Sequence, residues 1–296
     1  MAAPLRYTLD PVKVGDGLWL LRGADEAISA SNGGAIANIT IMASDVGAIL
    51  VDAGPSLRFG EALKALALKL TGKPVARVYL THFHPDHSYG DSAFDPTLVE
   101  ATAAFRATPL AQHEGFGDGM YRLLGDWMRG TEFHMPGRTA AAGIEVVGGR
   151  SLRLLPLAGH SATDLTILDE ATGTLIAGDL VFHNRAPSTP HATLATWLAS
   201  LRTLATLGHR QTIPGHGPFD PTPATAIDQT RDWLTWLAAT LRDAVARGLD
   251  MVEAGELPIP ARFASVKAAR YELQRSIAHF YPTLETEYLP RVDKPD

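Results

Sequence analysis

Apolar positions along this chain fall into short runs of strand length and a few longer stretches of helical period. "LWLLRG" (Leu18 to Gly23), "ANITIMAS" (Ala37 to Ser44) and "GAILVDAG" (Gly47 to Gly54) read as β-strands, with "SDVG" turning between the last two. A helix follows, because Phe59, Leu63, Leu66 and Leu70 share one side of a 3.6-residue period. Ser56 can cap its start, and Gly72 and Pro74 end it. "ARVYLTH" is a further strand. From Ala101 to Pro136 the pattern turns helical and irregular, around "GDGMYRLLGDWMRG". Strands resume at "GIEVVGG", "SLRLLPLAG", "DLTILDE" and "GTLIAGDLVF"; then come a helix, "LATWLASLRTLATLG", and a short strand, "QTIPG". The long helix after Pro223 puts Ile227, Leu234, Leu237, Leu241 and Val245 on one face.

Strands and then a helix, twice over, predict an α/β chain of two packed sheets with helices outside, an αββα four-layer sandwich. No linker rich in Pro, Gly or Ser interrupts it. Residues 1–296 are therefore read as a single domain, with a helical insert at about 101–136 and a C-terminal helical extension from about 222.

Composition narrows the function classes. A formal net charge of −6 gives no support to a nucleic-acid surface, which would carry a basic patch or stripe. With no cysteine, thiolate ligands, thiol nucleophiles and disulfides are excluded. No run approaches the apolar length of a membrane span, so no membrane insertion is expected. The opening "MAAPLRYTLD" lacks a basic n-region and an apolar h-region, so no signal peptide is read. "AAP" after Met1 also resembles a mature terminus, which leaves periplasm and cytosol both open. A small-molecule substrate fits these features, and oligomeric state is not legible.

The candidate chemistry lies at strand ends. "THFHPDHSYG" holds His82, His84, Asp86 and His87, although the chain has only 11 histidines. In extended backbone side chains alternate, so His82 and His84 point the same way and can share one ion. Asp86 and His87 follow where the chain turns, and can face a second ion. "LAGHSATD" puts His160 after an apolar strand, "LIAGDLVF" does so for Asp179, and "TIPGHGP" for His216. In each, a glycine precedes the polar residue. Strand ends in layered α/β folds converge on one edge, where sites are built. Nitrogen and oxygen donors of this kind suit zinc, and also iron or manganese.

"VDAGPS", "THFHPDH", "GHSATD", "AGDLVF" and "PGHGP", in this order, resemble the metallo-β-lactamase superfamily over roughly residues 15 to 220. The resemblance implies an αββα fold with a dinuclear site holding two zinc ions. His82, His84 and His160 would hold the first, Asp86, His87 and His216 the second, and Asp179 would bridge them. Asp52 would organise the ligands from behind. More narrowly, "GDGLWLLRG", "TGKPVARVY", "GDWMRGTE" and "RAPSTPHA" resemble the quinoprotein relay-system zinc metallohydrolases, which are mostly exported and act on poorly defined substrates. The implied chemistry is attack on a carbonyl by a hydroxide bridging the metals, with Asp86 holding that hydroxide in line. Relatives that open β-lactams usually carry cysteine or serine where Asp179 stands. The aspartate tilts the expectation towards a glyoxalase-II-like or lactonase-like hydrolase of esters, thioesters or lactones, with β-lactamase activity as a main or side function the alternative. Two other classes compete: an iron-dependent sulfur dioxygenase with one ion, and a non-catalytic assembly factor for a quinone cofactor.

Further residues are candidates by position. Asp164, four residues past His160, can orient a liganding imidazole or serve as a turn residue. His183, Asn184 and Arg185 follow Asp179 closely and are expected at the substrate mouth. Tyr121 and Trp127 are the aromatic candidates from the insert, against a plain packing role. His113, His134, His191, His209 and His279 stand outside any motif and read as ordinary surface or core histidines.

Overall fold

The computed structural model describes residues 5–288. Two short strands, β1 (Pro11–Gly15) and β2 (Leu18–Leu21), lead into β3 (Ile39–Ala43) and β4 (Ala48–Val51). Helix α1 (Leu57–Thr71) carries the chain across to β5 (Val75–Tyr79), which lies parallel to β4. A single helical turn, α2 (Pro85–Ser88), precedes β6 (Val99–Thr102), the insert helices α3 (Ala103–Ala107) and α4 (Leu110–Leu124), and β7 (Arg138–Ala140). These seven strands form one sheet in the order of their numbers. The second sheet comprises β8 (Gly143–Val147), β9 (Arg150–Pro156), β10 (Leu165–Asp169) and β11 (Thr174–Ile176), then, after helix α5 (Leu194–Ala205), β12 (Gln211–Ile213). Its order is β12-β11-β10-β9-β8. Helices α6 (Thr225–Ala246), α7 (Met251–Gly255) and α8 (Ala269–Tyr288) follow.

Alternation assigns the layers. Thr40 and Met42 of β3 face one way and Ile39 and Ile41 the other, as period-2 side chains must. Met42, Ile49 and Val51 of the first sheet pack with Leu152, Leu154, Leu165, Ile167 and Ile213 of the second, forming the core between sheets. Ile39, Ile41, Leu50 and Val78 turn outwards onto Phe59, Leu63 and Ala67 of α1. On the opposite side Leu168 and Leu175 meet Trp197 and Leu201 of α5 and Ile227 and Trp233 of α6. That is the expected αββα sandwich. The α1 caps are also as read: the Ser56 side chain accepts from the Phe59 amide, and Gly72 closes the helix at φ 71°.

The C-terminal helices extend this outer layer. Leu237, Leu241 and Val245 of α6 pack on Leu273, Ile277 and Tyr281 of α8. The face predicted for the long helix is thus shared between α5 and α8. Strands β1, β6 and β7 are not legible from patterning. Each has five residues or fewer, and β6 carries the charged Glu100, which is buried only because Arg77 and Arg138 pair with it.

Ile167 is fully buried between the sheets. Ile167→Ala removes methyl groups that no neighbour can replace, so unfolding in urea should show a loss of about 2–5 kcal/mol. Unchanged stability would mean that the two sheets do not interlock there.

Candidate metal centre

Each candidate ligand sits just past the carboxyl end of a strand. The strand predicted through His82 stops at Tyr79, yet both histidine rings still converge. His84 precedes Pro85, which forces it into extended backbone (φ −65°, ψ 142°) and starts α2 at its own first position. The turn then aims Asp86 and His87 inwards. His160 lies in the loop after β9, Asp179 in a short turn after β11, and His216 after β12. β11 and β12 run parallel and β9 shares their direction, so the three loops meet at one edge of the sheet. Backbones must touch for this to work. A Cβ on Gly215 would lie 2.0 Å from Asp179 Oδ1, so only glycine fits beside that carboxylate.

Two ligand sets result. His82 Nε2 and His160 Nε2 each lie 2.9 Å from His84 Nδ1. Asp179 Oδ2 lies 3.3 Å from His160 Nε2 and 3.3 Å from His216 Nε2. His216 Nε2 is 3.4 Å from both Asp86 Oδ2 and His87 Nε2. Asp179 Oδ1, 3.1 Å from His87 Nε2, is buried and satisfied by no hydrogen bond among the described residues. All seven side chains are buried. His82, His84, His160 and Asp179 form one group that could hold an ion, and Asp86, His87 and His216 form another.

Outward partners decide what the inward atoms are. His160 Nδ1 donates to the Ser188 carbonyl at 3.0 Å, and His216 Nδ1 to the Ile36 carbonyl at 2.8 Å. His87 Nδ1 donates to Asp52 Oδ2 at 2.7 Å. The Thr81 hydroxyl gives its proton to Asp52 Oδ2 at 2.8 Å, so its oxygen accepts from His82 Nδ1 at 3.0 Å. His84 Nε2 meets His191 Nδ1 at 2.8 Å. The outer nitrogens of His82, His87, His160 and His216 are donors, so the inner nitrogen of each such ring, when neutral, is a lone pair. Lone pairs packed this closely repel unless a cation stands between them, and the donor set suits a divalent ion of borderline softness.

Charge balance points the same way. Burial, and then the neighbouring imidazoles, hold His82 and His84 well below the usual histidine range; burial takes His160 down to about 4. For His87 burial also works downwards, but Asp179, Asp52 and Asp86 outweigh it and the ring is raised. Burial alone would raise Asp179, yet His216, His87 and His160 carry it well below the carboxylate range. Without metal the carboxylates hold a proton on His87; a cation would take its place.

Asp52 stands behind the ligands, accepting from His87, the Thr81 hydroxyl and the Thr81 amide, the last at 2.7 Å. It adopts φ 64°, a left-handed conformation that aspartate tolerates better than most residues. Of the two roles read for Asp164, its contacts match the one in the turn. Its carboxylate accepts from the His160 and Ser161 amides, both at 3.1 Å, and so shapes the loop, while the Ser188 carbonyl orients the imidazole. Burial pushes Asp164 up to about 7.

A cleft of about 330 Å³ opens over the two ligand sets. Arg185 lines it, as expected, but His183 and Asn184 are turned elsewhere: His183 Nδ1 donates to the Pro218 carbonyl at 2.9 Å, and Gln229 binds Asn184. Tyr121 and Trp127 also need correction. Tyr121 borders a separate depression with His113 and Phe133, while Trp127 packs on Tyr7 and donates to the Ala30 carbonyl at 2.9 Å. The insert reaches the cleft through Phe116 and Leu123. Tyr121 and Leu123 stand two residues apart on opposite sides of α4, whose phase is not readable through its glycines, and Trp127 lies beyond its end. His191, Tyr271 and Arg275 also line the cleft. They lie outside any motif, and only packing brings them there.

A family model described as metallo-beta-lactamase superfamily matches residues 32–216. A relative named "Probable metallo-hydrolase YqjP", from Bacillus subtilis (strain 168), is 24% identical over 205 residues, covering 57% of this chain. The matched part is 63% of that protein, so the chain spans less than two thirds of its length. A metallo-beta-lactamase family protein from Thermus thermophilus superposes with a TM-score of 0.65 at 21% identity, covering 93% of this chain and 96% of that one. A metallo-beta-lactamase from Pontibacter korlensis gives a TM-score of 0.62 at 20% identity, covering 77% and 99%. The chain belongs to the metallo-beta-lactamase superfamily.

His191 fixes which nitrogen His84 presents. His191→Phe should therefore weaken the first ion's binding by about 10–100-fold in a chelator competition, whereas His191→Gln, which keeps an acceptor, should recover much of it. Equal affinity in the Phe variant would show that His84 needs no such partner.

Proposed function

We propose that this chain is a dinuclear zinc hydrolase acting on the carbonyl of an ester, thioester or lactone. The observation that carries the reading is the double ligand set itself: two groups of buried donors joined by both oxygens of Asp179. Bound there, two divalent ions would supply Lewis acidity and lower the pKa of a water.

The protein's own contribution is to orient and to handle a proton. Asp86 Oδ2 faces His216 at 3.4 Å, while Oδ1 has no hydrogen-bond partner among the described residues, and the residue borders the cleft. That free oxygen is placed to accept the proton of an attacking water. Asp179 has both oxygens turned onto histidine nitrogens, so its work is to hold charge together. Ile28, Ile36 and Phe116 form an apolar wall suited to an acyl group and to limiting water. No helix among the described residues is long and apolar enough to cross a membrane.

Metal analysis tests the reading first. Protein purified without chelator should carry two zinc ions per chain and turn over members of a panel of lactones, thioesters and a chromogenic lactam. One iron per chain with oxygen uptake would point to the dioxygenase class instead. The carboxylates should then separate. Asp179→Asn removes the charge that draws two cations together, giving weak second-site occupancy and activity partly restored by added zinc. Asp86→Asn should keep more metal yet lose about 10²-fold in turnover at saturating zinc. Full recovery of Asp86→Asn by zinc would reduce that residue to a plain ligand.

A further inference from the structure

One wall of the cleft comes from α8, outside the region matched by the family model. It brings Arg275 to the opening. Arg275 Nη1 donates to Ser188 Oγ at 3.1 Å and to Glu272 Oε2 at 3.1 Å. The carbonyl of the same Ser188 orients His160, so this guanidinium stands one residue away from a candidate metal ligand.

Charge at this wall does not balance. Glu272 is fully buried and is already paired with Arg185, Nη2 to Oε1 at 3.0 Å. Two guanidiniums therefore share one carboxylate, with one positive charge in excess. Arg185 is itself buried, and its Nη1 is taken by the Ala186 carbonyl. Arg275 differs: its side chain is 38% exposed, and only Nη1 is engaged among the described residues. Its Nε and Nη2 stay open to a ligand, while the Tyr271 ring, 5.4 Å away, steadies the guanidinium. Asp86 and Asp179, the cleft's carboxylates, belong to the metal sets and would be offset by the ions.

We propose that Arg275 is the anion anchor of this cleft, and that the substrate is a carboxylate-bearing acyl compound. Its carboxylate takes the open edge of the Arg275 fork, a geometry that suits two parallel N–H···O bonds. Its apolar segment lies along Ile28, Phe116 and Leu123, and its reacting carbonyl faces the ligand sets. A cleft of about 330 Å³ takes a small molecule of this kind and not a polymer. The choice of reacting bond rests on the hydrolase reading above; the anion anchor does not.

The test uses the zinc-loaded full chain as wild type, Arg275→Gln and Arg275→Lys. 4-Nitrophenyl hexanoate and the 4-nitrophenyl monoester of adipate share a leaving group and acyl length, and differ in one carboxylate. Wild type should favour the adipate ester by about tenfold or more in kcat/KM. Arg275→Gln should bring that ratio towards one, through the KM of the anionic ester, and Arg275→Lys should keep part of it. Calorimetric binding of adipate, independent of turnover, should be about tenfold weaker in Arg275→Gln. An unchanged ester ratio together with unchanged adipate affinity overturns the anchor. If wild type cleaves neither ester, the ester form of the hydrolase reading fails and adipate binding alone decides the anchor. If Arg275→Gln does not fold, Arg275→Lys is read in the same measurements, where no loss of ratio or affinity overturns the proposal.

Discussion

Mutual repulsion among buried donors governs this structure. Five imidazoles and two carboxylates are held within a few ångströms of one another, and a neutral ring whose outer nitrogen donates has no proton on its inner nitrogen to share. Such a cluster has no reason to persist in a protein interior, where unpaired polar groups cost free energy. It persists because each ring is held from behind. Asp52, the Ser188 and Ile36 carbonyls, Thr81 and His191 each fix a nitrogen that is not a ligand. The energy of ordering lies in these outer contacts and in the two sheets beneath them, and a cation would offset the remaining cost at the centre.

The fold supplies the rigidity this requires. All candidate ligands hang from strand ends, and the strands are buried on both faces in a four-layer stack. A loop anchored this way moves little. The tight approach of Gly215 to Asp179 shows how little slack is present. The consequence is a narrow choice of residues: one methyl group at that glycine would displace the Asp179 carboxylate.

Ligands and cleft walls draw on overlapping but not identical stretches of the chain. The region matched by the family model carries the ligands and the groups behind them. Most of the cleft lining lies in that region too, but Ala27 and Ile28 come from before it, and Tyr271 and Arg275 from α8 after it. Phe116 and Leu123 enter from the insert. Ligands on strand ends with walls drawn from loops and added helices fit a scaffold whose function is carried by its connecting segments.

What the sequence determined by itself is the part written in local spacing. Strand alternation and helix period set the layers, because side-chain direction in each element follows from its own residues. The histidine cluster and the three glycine-flanked ligands are legible for the same reason: strand ends and turns place those side chains locally. Tertiary structure decided most of the walls. Arg275 lies 191 positions from His84, and nothing near it marks it as functional; only the packing of α6 on α8 brings it to the cleft. His191 meets His84 across 107 positions by the same route. Tyr121 escapes a correct reading because a helix interrupted by glycines has no readable phase until it packs, and packing set Phe116 and Leu123 towards the cleft instead; Trp127 lies past the end of α4, where its contact with Tyr7 is tertiary.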